Sequence, residues 1–561
     1  MELLLFFLAV GVFLLAVFIK EGVSAKKREQ RFIRDLYDHF GEMPKKEYSL
    51  ERYARIRSFF DKHKRDGQID DITWNDLNMD DIFKRMNYTF SASGEEYLYY
   101  VLRTAGQNEK ELAHLEETAD YFMRHPQERV RVQLLMRRLG YTGKFSLYDY
   151  LDNLSYLGKR SNARHFAADG LFLCFLVLLP FQYALGICGV VAVAIYNIIS
   201  YFREKNEIDP YIISFAYVMR LLFACDGLIK IQIPPLEKEW EDIRRHIGSL
   251  NGMRRGSFWV FSGNASPSTG NPLDIIMDYI RMTFHVDLIK FNRMLSHLTK
   301  HLGDVDALIE RVGYVETAIS IGALRTSLGD EYCVPELGGG DALEVVNAWH
   351  PMLAEPVKNT IRAEKGVLLT GSNASGKSTF LKTVAVNAVL AQTIHTCMAD
   401  SYRAPFYHIY SSMALRDNMQ GGESYYIVEI KALKRILDAA EKTHGRVLCF
   451  VDEVLRGTNT VERIAASTQI LKSLTGKNIL CFAATHDIEM TELLKDCFDN
   501  YHFEEDIIDG DVFFNYKLMK GKATTRNAIK LLEIMGYDKS IIDKAVRQAE
   551  RFLDHGVWEL S

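Results

Sequence analysis

One octapeptide constrains the fold of this 561-residue chain more than any other feature. Residues Gly371–Ser378 read GSNASGKS and fit the pattern G-x-x-x-x-G-K-[ST] at every fixed position. They follow the apolar run Val367–Leu369 and precede a predicted helix, Thr379–Thr393. A strand, a glycine-rich turn and a helix in this order build a loop that binds phosphate groups. The octapeptide therefore predicts an α/β P-loop fold for the last third of the chain.

The residue types of this loop indicate its chemistry. Its glycines let backbone N–H groups curl around phosphates, and the N-terminus of the following helix adds positive potential. Lys377 is expected to reach the β- and γ-phosphates, and the Ser378 hydroxyl to ligate Mg²⁺. The predicted cofactors are therefore ATP and Mg²⁺. The predicted nucleotide-binding residues are Gly371, Ser372, Asn373, Ala374, Ser375, Gly376, Lys377, Ser378 and Thr379.

Two further polar sites follow predicted strands. Asp452 and Glu453 come directly after the apolar run Leu448–Val451. At this position, called Walker B in P-loop folds, Asp452 would hold Mg²⁺ and Glu453 would orient or deprotonate the attacking water. His486 follows the run Ile479–Ala484 and would sense the γ-phosphate. In isolation, an acidic pair at a strand end and a loop histidine are common structural features. The predicted catalytic residues are Lys377, Glu453 and His486.

The rest of the chain differs in its periodicity. Residues 21–166 and 204–330 show mainly helical patterns, which predict a cytosolic helical domain and a helical core or lever region. After Gly338–Gly340, short β-rich runs alternate with helices, which predicts a largely parallel sheet in a domain spanning 331–561.

The first of two uncharged stretches is Leu3–Ile19, whose 17 residues would span about 25 Å as a helix. This length is the short end of a bilayer crossing, so we predict a transmembrane anchor over residues 1–20. A cleaved signal peptide is the alternative, because Val23–Ala25 resembles a cleavage site. We expect the anchor to stay uncleaved, because no positive charge precedes the apolar run.

The second stretch is Gly170–Phe202, with 33 uncharged residues and Pro180 near its middle. We predict a transmembrane hairpin of two short spans within 167–203, and three spans in total. One long buried helix is the alternative, but the stretch has no polar face. Positive charge flanks every predicted span on one side, which favours the cytoplasm for nearly all of the chain. The predicted location is the plasma membrane, multi-pass, with the α/β domain in the cytoplasm.

The charge and cysteine content of the chain indicate which classes of partner it is expected to bind. The formal net charge is −5, and the helical regions carry 26 Lys+Arg against 25 Asp+Glu over 21–170 and 15 against 20 over 203–345. Neither region has the broad positive surplus of a typical nucleic-acid binder. The eight cysteines form no C-x-x-C pair, so we expect free thiols in a reducing compartment and neither disulfides nor a zinc site.

Several motifs in order resemble one family. The motifs are Gly371–Thr379, Gly422–Glu429, Asp452–Thr460 and Ala484–His486. Together they resemble the ATPase domain of the MutS mismatch-repair family, which is related to ABC-type ATPases. The match covers about 330–550, and a weaker one reaches into the helical lever region at 272–330. The resemblance implies a MutS-like α/β P-loop domain with C-terminal dimerisation helices, joined here to an all-α region and about three transmembrane helices.

The resemblance also implies roles for individual residues. Ser424 resembles the serine that crosses a dimer interface to meet the partner's γ-phosphate. Asn373 matches the family's P-loop asparagine, His486 its sensor histidine, and 527–552 its dimer-packing helices. In the MutS family a loop connects the two nucleotide sites of a dimer. The residues that match this loop are Arg456, Gly457, Thr458 and Asn459. A homodimer with two nucleotides at its interface follows from these composite sites.

Three functions remain open on this sequence. The first is a membrane-anchored MutS-type ATPase that couples its cycle to conformational change and acts on an unidentified protein partner. The second is a tethered DNA-binding mismatch-repair or recombination protein, which the resemblance implies and the charge distribution does not support. Phe40–Glu42 spells the family's F-x-E wedge but follows the anchor too closely for the mismatch-reading domain. The third, an ABC-type transporter, ranks last because three short spans make a poor translocation path.

Overall fold

The computed structural model describes residues 20, 23–106, 108–143, 146–158, 160–254, 257–261, 272–372, 375–413, 425–443, 445–455, 459–476, 478–508, 511–522, 529, 532 and 535–555. Contacts divide the chain into two units. The first unit comprises Met1–His63, Met86–Tyr100 and Glu117–Ser327. The second comprises Lys64–Arg85, Val101–Glu116 and Leu328–Ser561. Two early segments thus belong with the last third of the chain. The domain limits predicted at residues 166, 203 and 330 stay predictions.

The helices of the described residues are α1 (23–38), α2 (Leu50–Lys62), α3 (Asp71–Asp76), α4 (Met79–Met86), α5 (Ala92–Arg103), α6 (Glu109–Arg124), α7 (Pro126–Leu139), α8 (Leu147–Asn153), α9 (Ala163–Leu178), α10 (Tyr183–Leu228), α11 (Glu237–Leu250), α12 (Ser257–Phe261), α13 (Pro272–Phe284), α14 (Val286–Leu298), α15 (Leu302–Leu328), α16 (Lys377–Ile394), α17 (Tyr425–Lys442), α18 (Thr460–Ser473), α19 (Met490–Leu493) and α20 (Lys539–His555). Short 3₁₀ turns occupy Leu154–Leu157, Pro234–Leu236 and Asn251–Met253.

The strands are β1 (Glu336–Leu337), β2 (Leu343–Ala348), β3 (Asn359–Ala363), β4 (Gly366–Thr370), β5 (Ser401–Ala404), β6 (Tyr407–Ser412), β7 (Arg446–Asp452), β8 (Ile479–Ala484), β9 (Phe498–His502), β10 (Glu505–Ile508), β11 (Asp511–Phe514) and β12 (Met519–Lys520). Six of them form one sheet in the order β12-β9-β4-β8-β7-β6, in which only the β12–β9 pair is antiparallel. The largely parallel sheet expected from the sequence is therefore present.

The central strands of this sheet are apolar along their whole length because both faces are covered. Every residue of β4 is buried, and so are the five central residues of β7. A smaller sheet in the order β1-β5-β2-β3 and the β10–β11 hairpin complete the strands of the second unit. In a parallel sheet the carboxyl ends of neighbouring strands meet at one edge, so β4, β7 and β8 end side by side. The residues that follow them can therefore form one site.

The first unit packs its helices around the second half of α10. From Ile208 onward this helix buries large apolar side chains such as Phe215 and Leu222. Trp240 of α11 is buried and donates its indole N–H to the Ile231 carbonyl at 3.0 Å. These buried groups supply the apolar core that a helical unit of this size needs.

The uncharged stretch around Pro180 forms two helices joined by a tight turn. Helix α9 ends at Leu178 and α10 begins at Tyr183, so the expected chain reversal is confirmed. The second arm is not a short span, because α10 continues for 46 residues to Leu228. Among the described residues, α10 is the helix long and apolar enough to cross a membrane, and three transmembrane helices are not supported. The anchor predicted over residues 1–20 lies outside the described residues, except for Lys20.

Candidate nucleotide-binding site

The P-loop octapeptide connects β4 to α16, as its sequence predicts. Gly371 has φ +144°, and a Cβ on it would lie 2.8 Å from the Phe503 carbonyl oxygen. Gly376 adopts φ +105° directly before α16 and provides no side-chain cap. The first N–H groups of α16 are therefore open to an anion, which is the property that favours phosphate at a helix N-terminus.

Lys377 is the first residue of α16 and is 5% exposed. Its ammonium donates to the Gly371 carbonyl at 2.9 Å and to the Ser372 carbonyl at 2.7 Å. These contacts hold the ammonium across its own loop, where a phosphate can accept its hydrogen bonds. Ser375 is also buried, and among the described residues its hydroxyl has no hydrogen-bond partner. A ligand with several acceptor oxygens fits this set of donors.

Glu453 and His486 meet at the carboxyl edge of the sheet. Their side chains are in contact, with Oε1 of Glu453 2.6 Å from Nε2 of His486. The Glu453 N–H donates to the Ala484 carbonyl at 2.9 Å, which joins the end of β7 to the end of β8. Glu453 and Leu455 both have positive φ values, +56° and +60°. A left-handed backbone conformation costs free energy in residues other than glycine, and such strained residues cluster in functional loops.

One cavity of about 490 Å³ brings the predicted catalytic groups together. The P-loop residues Ser375–Thr379 form one wall, and Glu453 and His486 lie on another. Phe503 and Tyr516 supply aromatic surface. A cavity of this size with a few convergent polar groups is typical of small-molecule sites, and nucleotides fall in this range. The residues present therefore fit ATP.

The two predicted Mg²⁺ ligands, Ser378 and Asp452, line different cavities. Ser378 is exposed and lines the nucleotide cavity, whereas Asp452 lines a neighbouring cavity of about 150 Å³ together with Glu453. Among the described residues no cluster of three or more His, Cys, Asp or Glu side chains could hold a metal ion. Mg²⁺ at nucleotide sites takes one or two protein ligands plus phosphate oxygens and water. Ser378 and Asp452 are compatible with that chemistry.

The C-terminal part of the chain is similar to proteins of one family. The model of MutS domain V matches residues 367–553. The chain is therefore similar to MutS proteins, and its residues 367–553 are those of a MutS domain V. It is 28% identical over 271 residues to the DNA mismatch repair protein MutS of Fusobacterium nucleatum, covering 46% of this chain and 29% of that protein. The corresponding protein of Thermus thermophilus is 29% identical over 211 residues, covering 37% and 26%.

A human relative, MutS protein homolog 4, is 27% identical over 282 residues, covering 47% of this chain and 29% of that protein. The chain thus spans between a quarter and a third of the length of these relatives. Proteins of the MutS family are ATPases, which agrees with the phosphate-binding geometry of the cavity.

Several residues predicted from the sequence fall in the part of the chain that the structure does not describe. The P-loop residues Asn373 and Ala374, the in-trans Ser424 and the inter-site residues Arg456, Gly457 and Thr458 lie outside the described residues. Asn459 is described, and its side chain accepts the Val461 N–H at 3.0 Å as the N-cap of α18. The resemblance gives no hint of this structural role, which satisfies one open N–H of the helix.

Two functional candidates were missed by residue patterns alone. Glu429 of α17 is buried and accepts the N–H of Leu455, so it holds the strained turn that carries Glu453. His350 lines the nucleotide cavity, and burial, together with the nearby Lys382, lowers its pKa to about 4. The His350 ring is therefore neutral at pH 7. Both residues lie in segments that resemble the MutS family. Their distance in sequence from the P-loop, however, does not predict that they lie near the nucleotide cavity.

Proposed function

We propose that the chain is a Mg²⁺-dependent, MutS-type ATPase that binds and hydrolyses ATP at composite sites in a homodimer. The observation that carries this proposal is the single cavity lined by Lys377, Glu453 and His486. Substitution of Lys377 and substitution of Glu453 test nucleotide binding and hydrolysis separately. The cycle would change the conformation of the helical parts of the chain.

The side chains of the site have separate roles in the proposed hydrolysis. The open N–H groups of α16 and the Lys377 ammonium hold the β- and γ-phosphates. The Glu453 carboxylate orients a water molecule for attack on the γ-phosphorus and accepts its proton. His486 holds that carboxylate in place through Nε2, 2.6 Å away, and its other ring nitrogen, Nδ1, can donate a hydrogen bond to a γ-phosphate oxygen. Ser378 and Asp452 would hold Mg²⁺, which would supply positive charge to the phosphate groups.

Dimer formation is supported by the last described helix. Met535 and Tyr537 precede α20 and are 78% and 55% exposed. Ile541 and Val546 on α20 are exposed as well. Apolar side chains left in water at the end of a domain favour burial against a partner. A second copy of the chain is the partner that the composite site requires, because Ser424 would act on the nucleotide of the other subunit.

We also propose that the hairpin of α9 and the first half of α10 enters a membrane. Large apolar side chains on this hairpin are half or more exposed: Leu171, Leu173, Val177, Phe181, Tyr183, Leu185, Ile187, Val191, Ile195, Tyr196, Ile199 and Phe202. From Ile208 onward most large apolar side chains of α10 are buried, and Ile213 and Phe223 are the exposed exceptions. Residues 183–202 would span about 30 Å, the thickness of a bilayer core. Arg164 and Arg203 lie at the base of the hairpin, where positive charge favours the cytoplasmic side.

We expect three acidic substitutions on the exposed face, Ile187→Glu, Val191→Glu and Ile195→Glu, to release the chain from membranes. Each burial of a charge near a bilayer centre costs about 3 kcal/mol. The variant is made in a chain without residues 1–20, since that stretch could hold the protein at the membrane by itself. The measurement is the fraction that remains in the membrane pellet after an alkaline wash. The control, Asn206→Glu, changes an exposed polar position of α10. Release of the unsubstituted hairpin would contradict the proposal.

A DNA-binding role is the second candidate, because two of the relatives carry the name DNA mismatch repair protein MutS. The net charge of −5 argues against many phosphate contacts. We therefore expect little or no binding of duplex DNA by the ATP-bound chain, with no steep dependence on salt. A fluorescence titration at 50 and at 200 mM salt checks this. An affinity that falls at least about 100-fold between these concentrations would favour the DNA-binding function.

A further inference from the structure

Helix α3 packs on the outer strand of the six-stranded sheet although the contacting residues lie more than 330 positions apart in the chain. The segment Lys64–Arg85 belongs to the same unit as Leu328–Ser561, and α3 packs on β6. β6 is the last strand of its sheet. The Thr73 hydroxyl oxygen accepts the N–H of Ser411 at 3.1 Å, and both residues are fully buried. An edge strand covered in this way keeps its backbone groups satisfied.

Asp76 fixes the end of β6. This side chain is 3% exposed, and its Oδ2 accepts the Ser411 hydroxyl at 2.7 Å and the Met413 N–H at 2.9 Å. Hydrogen bonds to a buried carboxylate are stronger than those between neutral groups. Met413 directly precedes the undescribed stretch 414–424, which contains Ser424. One carboxylate of α3 therefore holds the chain at the point where this stretch begins.

The same helix also holds α17, which follows the stretch. Asp70 caps α3 through Oδ1, which accepts the Thr73 N–H at 2.8 Å. Its other oxygen lies 2.7 Å from Nη1 of Arg435 on α17. Arg435 in turn donates from Nη2 to the Ser411 carbonyl at 2.6 Å. Both flanks of 414–424 are thus tied to α3 and to each other.

These contacts lie beside the carboxylates expected to act in hydrolysis. The cavity of about 150 Å³ is lined by Asp76, Met413, Glu429, Asp452 and Glu453. Glu429 joins α17 to the turn after β7 by accepting the Leu455 N–H. A displacement of α3 would therefore shift Met413 and the wall of this cavity beside Glu453.

We infer that α3 is a positioning element for ATP hydrolysis and that Asp76 is its positioning residue. By fixing Met413 and, through Asp70, α17, the helix sets how the Glu453 turn is held. The segment is covalently continuous with α2 on one side and α5 on the other. Movement of those helices can thus change the rate of hydrolysis without contacting the nucleotide. This inference rests on the proposed ATPase.

The test is Asp76→Ala in the full chain, with steady-state hydrolysis and ATP affinity measured separately. We expect kcat to fall at least about 10-fold while the dissociation constant for ATP changes less than about 3-fold, because α3 does not line the nucleotide cavity. Asp76→Asn keeps an oxygen that can accept both hydrogen bonds, so it should restore most of kcat. The Asp76→Ala effect should also shrink in a Ser411→Ala background, as expected of groups that act together.

The matched control is Asp80→Ala. Asp80 accepts the indole N–H of Trp74 at 2.8 Å, so its loss weakens the same segment without removing a hydrogen bond to β6. Thermal unfolding is measured for both variants. If the two lose kcat equally, or if Asp76→Ala keeps the wild-type kcat, the inference is overturned. A wild-type chain that does not turn over ATP at all would instead contradict the proposed function.

Discussion

Glu453→Gln should stop ATP hydrolysis while ATP still binds. An amide cannot take the proton of the attacking water, and loss of a general base lowers rates by about 100- to 10,000-fold. The amide oxygen can still accept a hydrogen bond from His486, which lies 2.6 Å from the carboxylate. The geometry of the pocket should therefore survive. We expect kcat to drop at least about 100-fold with little change in the dissociation constant for ATP.

Single-turnover phosphate release and binding of a fluorescent ATP analogue check the two halves of this prediction. Glu462→Gln is the control, because this exposed glutamate on α18 is changed to the same amide nearby. Size-exclusion chromatography with ATP and Mg²⁺ should show Glu453→Gln accumulating as a dimer, since ATP that cannot be hydrolysed keeps composite sites closed. Turnover at the wild-type rate would remove Glu453 from the role of water activation.

The position of the candidate site was largely predictable, because local sequence patterns determine the elements that surround it. The octapeptide determines a strand, a loop and a helix in sequence, so the position of Lys377 at the start of α16 follows directly. Asp452 and His486 were predicted because polar residues after buried strands gather at one edge of a parallel sheet. The contact between Glu453 and His486 depends on the pairing of β7 with β8, which spacing alone does not provide.

Long-range packing was not predictable from local patterns. Nothing in the sequence around Asp76 indicates that it will cap β6, because its partners Ser411 and Met413 lie more than 330 residues away. The same limit applies to α10. An uncharged run indicates a helix that is buried in lipid or in a protein core. The continuation of α10 to Leu228 depends instead on packing within the helical unit. The turn around Pro180 was nevertheless predictable, because proline interrupts a helix through its own local geometry.

Lys377→Ala should abolish nucleotide binding and not merely slow hydrolysis. The Lys377 ammonium is almost fully buried and lies within 2.9 Å of two P-loop carbonyls, so its charge sits where the phosphates bind. Loss of charge-assisted hydrogen bonds to phosphate costs about 3 kcal/mol or more, which raises the dissociation constant at least about 100-fold. The backbone N–H groups of α16 remain, but they cannot replace a full positive charge.

Isothermal titration with ATP and Mg²⁺ measures this loss directly. Lys382→Ala on the same helix is the control, because it removes a lysine that does not line the nucleotide cavity. Alanine is a good helix former, so α16 should persist and the melting temperature without nucleotide should change little in either variant. Wild-type chain should be stabilised by added ATP, as ligand binding to the native state requires, whereas Lys377→Ala should not. Nucleotide-induced stabilisation that persists in Lys377→Ala would show that ATP binds elsewhere on the chain.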